Sequence, residues 1–239
     1  MASSETVSSL GRSYSETYRG ERLGNRDVAR HGWPRSRVEA CVHWAGTGVR
    51  VLDIGCGNGE VLYNLRRSFR GLYGTELAEV RAETARRCLE GLPATVMVGD
   101  VVHGLDFEAG KFDLVICADV LEHVVDVWTA LDEIRRVLSP GGRILITTPN
   151  VASIRRRVQL VAGRFPSTSA GDEGLALRHS SELLDGGHVH YFTFRMLDRV
   201  LTRAGFSEMR FHGFGRLGRL HDFRRSLLSS SCVCLASVQ

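Results

Sequence analysis

Three glycines stand at every second position in Gly55-Cys56-Gly57-Asn58-Gly59, directly after the apolar-to-acidic run Val51-Leu52-Asp53-Ile54. Glycine at that spacing lets backbone approach a bound ligand that a Cβ would hold away. The pattern is Gly-x-Gly-x-Gly, not the Gly-x-Gly-x-x-Gly that cradles a pyrophosphate, so a dinucleotide is disfavoured. Glu76, Asp100 and Asp119 each follow a short apolar run. A carboxylate such as Glu76 can accept two hydrogen bonds from vicinal hydroxyls, which an uncharged side chain does poorly. His188 and His190, separated by one residue, are the candidates for proton removal, since imidazole titrates near neutrality. Asp119, Glu122 and His123 have the i, i+3, i+4 spacing of one helical turn. With His188 or His190 they could hold a divalent ion.

These residues need elements that carry them to one place. Strand-like runs fall near 49–54, 71–75, 94–99, 112–118 and 143–148, and helices fit near 60–69, 78–89 and 127–138. Ser139-Pro140-Gly141-Gly142 stops the last helix and turns the chain into the fifth strand. Strand–helix alternation predicts parallel pairing, and Asp53, Glu76, Asp100 and Asp119 then share the carboxyl edge of the sheet, where open α/β sheets bind ligands. Past Asn150 the rhythm breaks into a basic helical stretch near 151–160, a Gly- and Ser-rich loop, and Gly186-Gly187-His188-Val189-His190-Tyr191. Thr193 caps a helix near 195–204 that Gly205 ends. Strands near 206–211 and 231–238 close the sheet in an antiparallel pair. The expected fold is α/β: a Rossmann-like, doubly wound, seven-stranded sheet, mostly parallel with the last strand antiparallel, and helices on both faces.

Composition narrows the class. At 239 residues, 43% hydrophobic and 24% charged, the chain fits one α/β domain with an added lid or cap. No apolar run reaches the ~20 residues of a membrane helix, and the Ser-rich start lacks a signal-peptide core. Scattered cysteines predict reduced thiols and a cytoplasmic setting. Net charge is only +4, with Lys111 the single lysine, so nucleic acid is not an expected partner. The one dense basic cluster, Arg155-Arg156-Arg157, reads first as a solvated helix face and second as an anchor for an anionic acceptor.

The glycine loop, the acid after strand two, Gly99-Asp100 and Ser139-Pro140-Gly141-Gly142 occur in the order found in class I S-adenosylmethionine-dependent methyltransferases, which the chain resembles. Phe112-Asp113-Leu114-Val115-Ile116-Cys117-Ala118-Asp119-Val120-Leu121-Glu122-His123 is similar to the fourth-strand motif of ubiquinone-biosynthesis O-methyltransferases and methionine-biosynthesis W proteins. Thr148-Pro149-Asn150-Val151 and Gly163-Arg164-Phe165 are similar to the latter group. The resemblance implies S-adenosyl-L-methionine as co-substrate and S-adenosyl-L-homocysteine as product. It implies cofactor contacts from Asp53, Gly55, Cys56, Gly57, Gly59, Glu76, Leu77, Asp100, Val101, Asp119 and His123. It places His188 and His190 as base candidates, and favours a metal-free site. It further implies residues 1–45 as a helical cap in which Tyr14 and Tyr18 could close over the cofactor, residues 46–239 as the methyltransferase domain, and 151–190 as acceptor lid. The expected acceptor is a hydroxyl or carboxylate oxygen of a small bacterial specialised metabolite, an anionic one included, acted on by a monomer or homodimer. A catalytically silent partner-binding module and an RNA or nucleotide methyltransferase are the alternatives.

Overall fold

The computed structural model describes residues 27–28, 32–169 and 184–238. Seven strands form one sheet: β1 (Gly48–Ile54), β2 (Phe69–Glu76), β3 (Ala94–Val98), β4 (Phe112–Ala118), β5 (Leu138–Pro149), β6 (Phe206–His212) and β7 (Ser231–Val238). Their order is β3-β2-β1-β4-β5-β7-β6. The first five pair in parallel, and β7 runs antiparallel to both β5 and β6. The expected fold class is therefore observed. Strand order reverses at β1, between β2 and β4, and that is where such sheets open a crevice.

Both faces are covered because the central strands alternate apolar residues between two cores. Leu52, Ile54, Val115, Cys117, Ile144 and Ile146 belong to one, and Val51, Leu114, Ile116, Ala118 and Leu145 to the other. Side chains of period two must divide this way when a strand is buried on both sides. Helices α1 (Arg37–Ala45), α2 (Glu60–Leu65) and α3 (Glu79–Cys88) cover the second core, while α4 (Val127–Val137) and α6 (Phe194–Arg203) cover the first. Helix α5 (Ile154–Val161) buries no side chain. Short helices α7 (Leu220–Phe223) and α8 (Arg225–Leu228) precede β7. In α4 the buried set Val127, Ala130, Leu131, Ile134 and Val137 follows the helical stripe, and Asp126 caps it by accepting from the N–H groups of Trp128 and Thr129 (3.1 and 3.0 Å). Thr193 caps α6 as its sequence predicted, accepting from Met196 N–H at 3.1 Å.

Two boundaries differ from expectation. The helix read near 60–69 ends at Leu65, because Ser68 turns back onto the Leu65 carbonyl (2.7 Å) and Phe69 is buried as the first residue of β2. Its ring lies where a Cβ on Gly48 would stand, 2.7 Å away, so local helix propensity yields to core packing. The turn read at Ser139–Gly142 is an excursion within β5: Leu138 pairs with Phe112 and Arg143 with Leu114. Gly142 passes so near the Ser139 carbonyl that an added Cβ would meet it at 2.7 Å. The six cysteines are all buried and unbridged. No helix among the described residues is long and apolar enough to cross a membrane. Tyr14, Tyr18 and the middle of the lid lie outside the described residues.

Candidate functional site

The register of β1 pairs Ile54 with Thr75 on one side and Cys117 on the other. The chain segments leaving β1, β2 and β4 therefore emerge side by side, and a cavity of about 340 Å³ opens among them. Gly55, Gly57 and Gly59 have φ of 67°, 55° and 82°, a left-handed run that residues with a Cβ enter only with strain. Glu76, only 7% exposed, is held under this loop. Gly57 N–H donates to its Oε2 (2.9 Å) and Ala78 N–H to its Oε1 (3.0 Å). A carboxylate offers about four lone-pair sites, so two backbone donors fix its orientation and leave acceptor capacity toward the cavity it lines.

Asp100 lines the same cavity from the end of β3. Its Oδ1 accepts from Val102 N–H (3.0 Å), and Oδ2 lies 3.1 Å from His103 Nδ1. Asp119 has φ 55°, a strained conformation for a non-glycine residue. The strain is held by Asp119 N–H donating to the Thr147 carbonyl (2.9 Å) and by the Thr147 hydroxyl donating to Asp119 Oδ1 (2.8 Å). Arg37 of α1 reaches across, donating to the Ala118 carbonyl (3.0 Å), with Nε 3.8 Å from Asp119 Oδ2. Burial alone would lower the Arg37 pKa, yet Asp119, Cys41, Asp53 and Glu122 outweigh it and raise it. Asp53, 2% exposed, is pushed up to about 7 by burial, with Arg37 opposing and Glu76 reinforcing. The Arg37 guanidinium thus stands among Asp53, Asp119 and Glu122.

Residues 119–125 form an irregular turn and not the helical turn expected for Asp119, Glu122 and His123. Glu122, 1% exposed, is raised to about 8 by burial and then by Asp119; Thr148 donates to its Oε2 (3.0 Å). Its carbonyl accepts from Val189 and His190 N–H (2.8 and 3.1 Å), which fastens the two-histidine segment to the turn. The His123 and His188 rings meet edge-on, centroids 4.6 Å apart. Burial and then His188 lower His123 to about 4, and burial lowers His188. Both rings are neutral at pH 7. Asp185 (φ 47°) gathers residues 167–169: it accepts from the Ser167, Thr168 and Ser169 hydroxyls (2.6, 3.1 and 2.9 Å) and from Thr168 and Ser169 N–H. Burial pushes its carboxyl up, but those bonds prevail and hold it below the usual range.

Of the residues read from sequence as cofactor contacts, Gly55, Glu76, Leu77, Asp100, Val101, Asp119 and His123 line the cavity. Asp53, Cys56, Gly57 and Gly59 shape the loop behind it: Gly57 faces the Arg81 guanidinium and Gly59 packs on Ala85 of α3. Neither His188 nor His190 lines it. His188 stands against His123, while the His190 ring donates from Nε2 to the Val125 carbonyl (3.2 Å). Glu122, His123 and His188 are the group whose spacing could take a metal ion. Arg37, Arg81 and His103 also line the cavity and carried no sequence signal, since each comes from a helix or turn whose facing depends on packing. Arg156, read as a candidate anion anchor, donates instead to the carbonyls of Asn150, Ser230 and Ser167 (2.8, 2.8 and 3.1 Å). Asn150, at the end of β5, donates from its amide to the Ser229 carbonyl (2.8 Å).

Residues 26–208 match the family model described as a methyltransferase domain. A ubiquinone biosynthesis O-methyltransferase of Xanthomonas oryzae pv. oryzae is 35% identical over 107 residues, 43% of this chain and 44% of the relative. An uncharacterised 37.1 kDa protein in a transposon of Streptomyces fradiae is 40% identical over 114 residues, 46% of this chain and 33% of the relative. The chain thus spans less than half the length of these curated relatives. The crystal structure of an S-adenosylmethionine dependent methyltransferase from Mesorhizobium loti superposes with a TM-score of 0.62 at 19% identity, covering 84% of this chain and 98% of that one, which shows the shared fold.

Proposed function

The chain belongs to the methyltransferase-domain family, and from that premise we propose that it moves the methyl group of S-adenosylmethionine to an oxygen of a small molecule, releasing S-adenosylhomocysteine. One observation carries the reading: Glu76, pinned by Gly57 and Ala78 N–H at the cavity wall, is a carboxylate prepared to accept the two hydroxyls of a ribose. The rest of the site fits that ligand. Left-handed glycines leave room for the chain to lie close, Asp100 offers acceptor capacity to an exocyclic amine, and Glu76 and Asp119 bring carboxyl groups to the cavity wall for a sulfonium and an ammonium. When bound, the sulfonium supplies a methyl group that is already activated. The protein's part is then to bind, align and exclude water.

Oxygen is favoured over nitrogen because a neutral imidazole, that of His188, stands beside the turn and can take a proton. We place that role on His188 with Glu122 and His123 beside it, since the His190 ring is engaged with Val125. We take residues 1–45 as the cap, for which Arg37 reaching Asp119 is the support, and 151–190 as the acceptor lid, tethered by Arg156 and Asn150. With Arg156 engaged and Arg157 Nε donating to the Ala152 carbonyl, little of the basic cluster is left for a polyanion, which supports a small acceptor over RNA. Arg155 leaves an anionic acceptor open. The arginine-rich, nearly lysine-free composition supports a bacterial specialised metabolite, and six unbridged thiols support a cytoplasmic setting.

Isothermal titration of the full chain with S-adenosylmethionine, S-adenosylhomocysteine and NAD tests the reading. Both adenosyl ligands should bind and NAD should not. Glu76→Ala should weaken them at least tenfold, about 1.4 kcal/mol. A folded wild-type protein that binds neither adenosyl ligand would overturn the reading in favour of a silent partner-binding module.

A further inference from the structure

Glu122, His123 and His188 each bring one metal-ligating type of atom to the same place. Glu122 Oε2 accepts from Thr148, while Oε1 is buried without a partner. His123 has the Gly187 backbone beside its ring, and its Nδ1 is buried without a partner. His188 Nδ1 lies 2.6 Å from Thr168 Oγ1, whose hydroxyl donates to Asp185 Oδ2 (3.1 Å). Thr168 therefore accepts from Nδ1–H, and Nε2 is the lone-pair nitrogen. The ligand atoms of the three residues lie within 4.8 Å of one another. A buried polar atom without a partner is costly, and two such atoms on adjacent residues beside a third ligand atom call for one shared ligand. An imidazole steered by a carboxylate-backed hydroxyl, and a carboxylate steered by a hydroxyl, are the surroundings that metal ligands have.

We propose that Glu122 Oε1, His123 Nδ1 and His188 Nε2 bind one divalent transition-metal ion beside the cavity. The sequence favoured a metal-free site, and its spacing argument drew in Asp119 and His190; the fold leaves Asp119 on Thr147 and Arg37, and His190 on Val125. Two nitrogens and one oxygen suit Zn²⁺, Mn²⁺ or Fe²⁺ better than Mg²⁺ or Ca²⁺, which prefer oxygen. Bonds of about 2.1 Å put ligand atoms roughly 3–4 Å apart, so the widest pair closes by roughly 1–2 Å on binding. Three protein ligands leave positions for an oxygen of the acceptor. This role rests on the methyl-transfer reading. An acceptor hydroxyl there loses its proton to solvent more readily, and with the metal bound His188 holds the ion in place of taking that proton itself. Its oxygen pair then forms the bond to the methyl carbon as the carbon–sulfur bond breaks, the latter pair staying on sulfur.

The test is titration of the chelator-treated full chain with Zn²⁺, Mn²⁺ and Mg²⁺ separately, each followed by S-adenosylhomocysteine. Wild type should bind about one equivalent of Zn²⁺ or Mn²⁺ more tightly than Mg²⁺. Glu122→Gln and His188→Ala should each weaken the metal by more than 100-fold, and Thr168→Val by about 10-fold, while all three variants keep S-adenosylhomocysteine binding as evidence of folding. Wild type that binds S-adenosylhomocysteine but no metal overturns this proposal and leaves the methyltransferase reading standing. Metal binding that survives both ligand substitutions overturns it too. Metal bound without S-adenosylhomocysteine upholds the site and overturns the methyltransferase reading.

Discussion

Asp53 ends β1 with its carboxyl buried between Arg37 and Glu76, and burial raises its pKa from 3.8 to about 7. Between those two pH values the unfolded chain has lost a proton that the folded chain keeps. Stability from this group is thus full at pH ~4, falls as pH rises through about 7, and is level above. Asp53→Asn has no proton to lose. Its Tm relative to wild type should be more favourable at pH 8 than at pH 4, measured by circular dichroism melts across that range; a difference independent of pH would refute the raised pKa. Asp119 and Glu122 show why a residue's type does not disclose its task. Both were read as members of one acidic face, yet Thr147 and Arg37 hold Asp119 while Thr148 and the two-histidine segment hold Glu122. Those partners come from β5, α1 and the segment at 189–190, and the spacing of 119 and 122 says nothing of them.

At the scale of elements, the loop from β1 to α2 is shaped by what lies across from it. Gly55, at φ 67°, would present a Cβ 2.6 Å from Val120 Cγ2. Gly55→Ala therefore meets both strain and a collision, and pushes the β4 turn away from the cavity. A loss of about 2 kcal/mol, or roughly 4–8 °C in Tm, is expected, together with at least tenfold weaker S-adenosylhomocysteine binding by calorimetry. Unchanged melting and affinity would mean that the loop has another way to relax. The strands, the body of α4, the capped helix α6 and the glycine loop were legible in the sequence because local chemistry dictates them: period-two apolar runs, Thr193 at an N-cap, glycines where the backbone must pass close to a ligand. The end of α2 and the excursion in β5 were not. They depend on Phe69 filling the space beneath Gly48 and on Leu138 finding Phe112, contacts made at long sequence separation.

For the whole molecule, the two cores meet through a sheet that is buried on both sides, and the cavity sits at its switch point between β1 and β4. A ligand there touches α1 and the ends of four strands at once, so its binding stabilises the folded state as a unit. At 100 times its Kd, S-adenosylhomocysteine should add about 2.7 kcal/mol and raise Tm by roughly 5–10 °C, read by differential scanning calorimetry with NAD as the control. A shift of the same size with NAD would contradict the specificity of the glycine loop. By itself the sequence determined the parallel α/β class, the carboxyl-edge placement of Asp53, Glu76, Asp100 and Asp119, and the glycine loop. Each follows from side-chain period, turn chemistry and backbone sterics within a few residues. Only the tertiary structure decided that Arg37 balances those acids, that Arg156 is a tether and no anion anchor, and that His188, not His190, meets Glu122 and His123. Those outcomes depend on which backbone carbonyls and hydroxyls packing brings within hydrogen-bond reach, and such neighbours lie far apart along the chain.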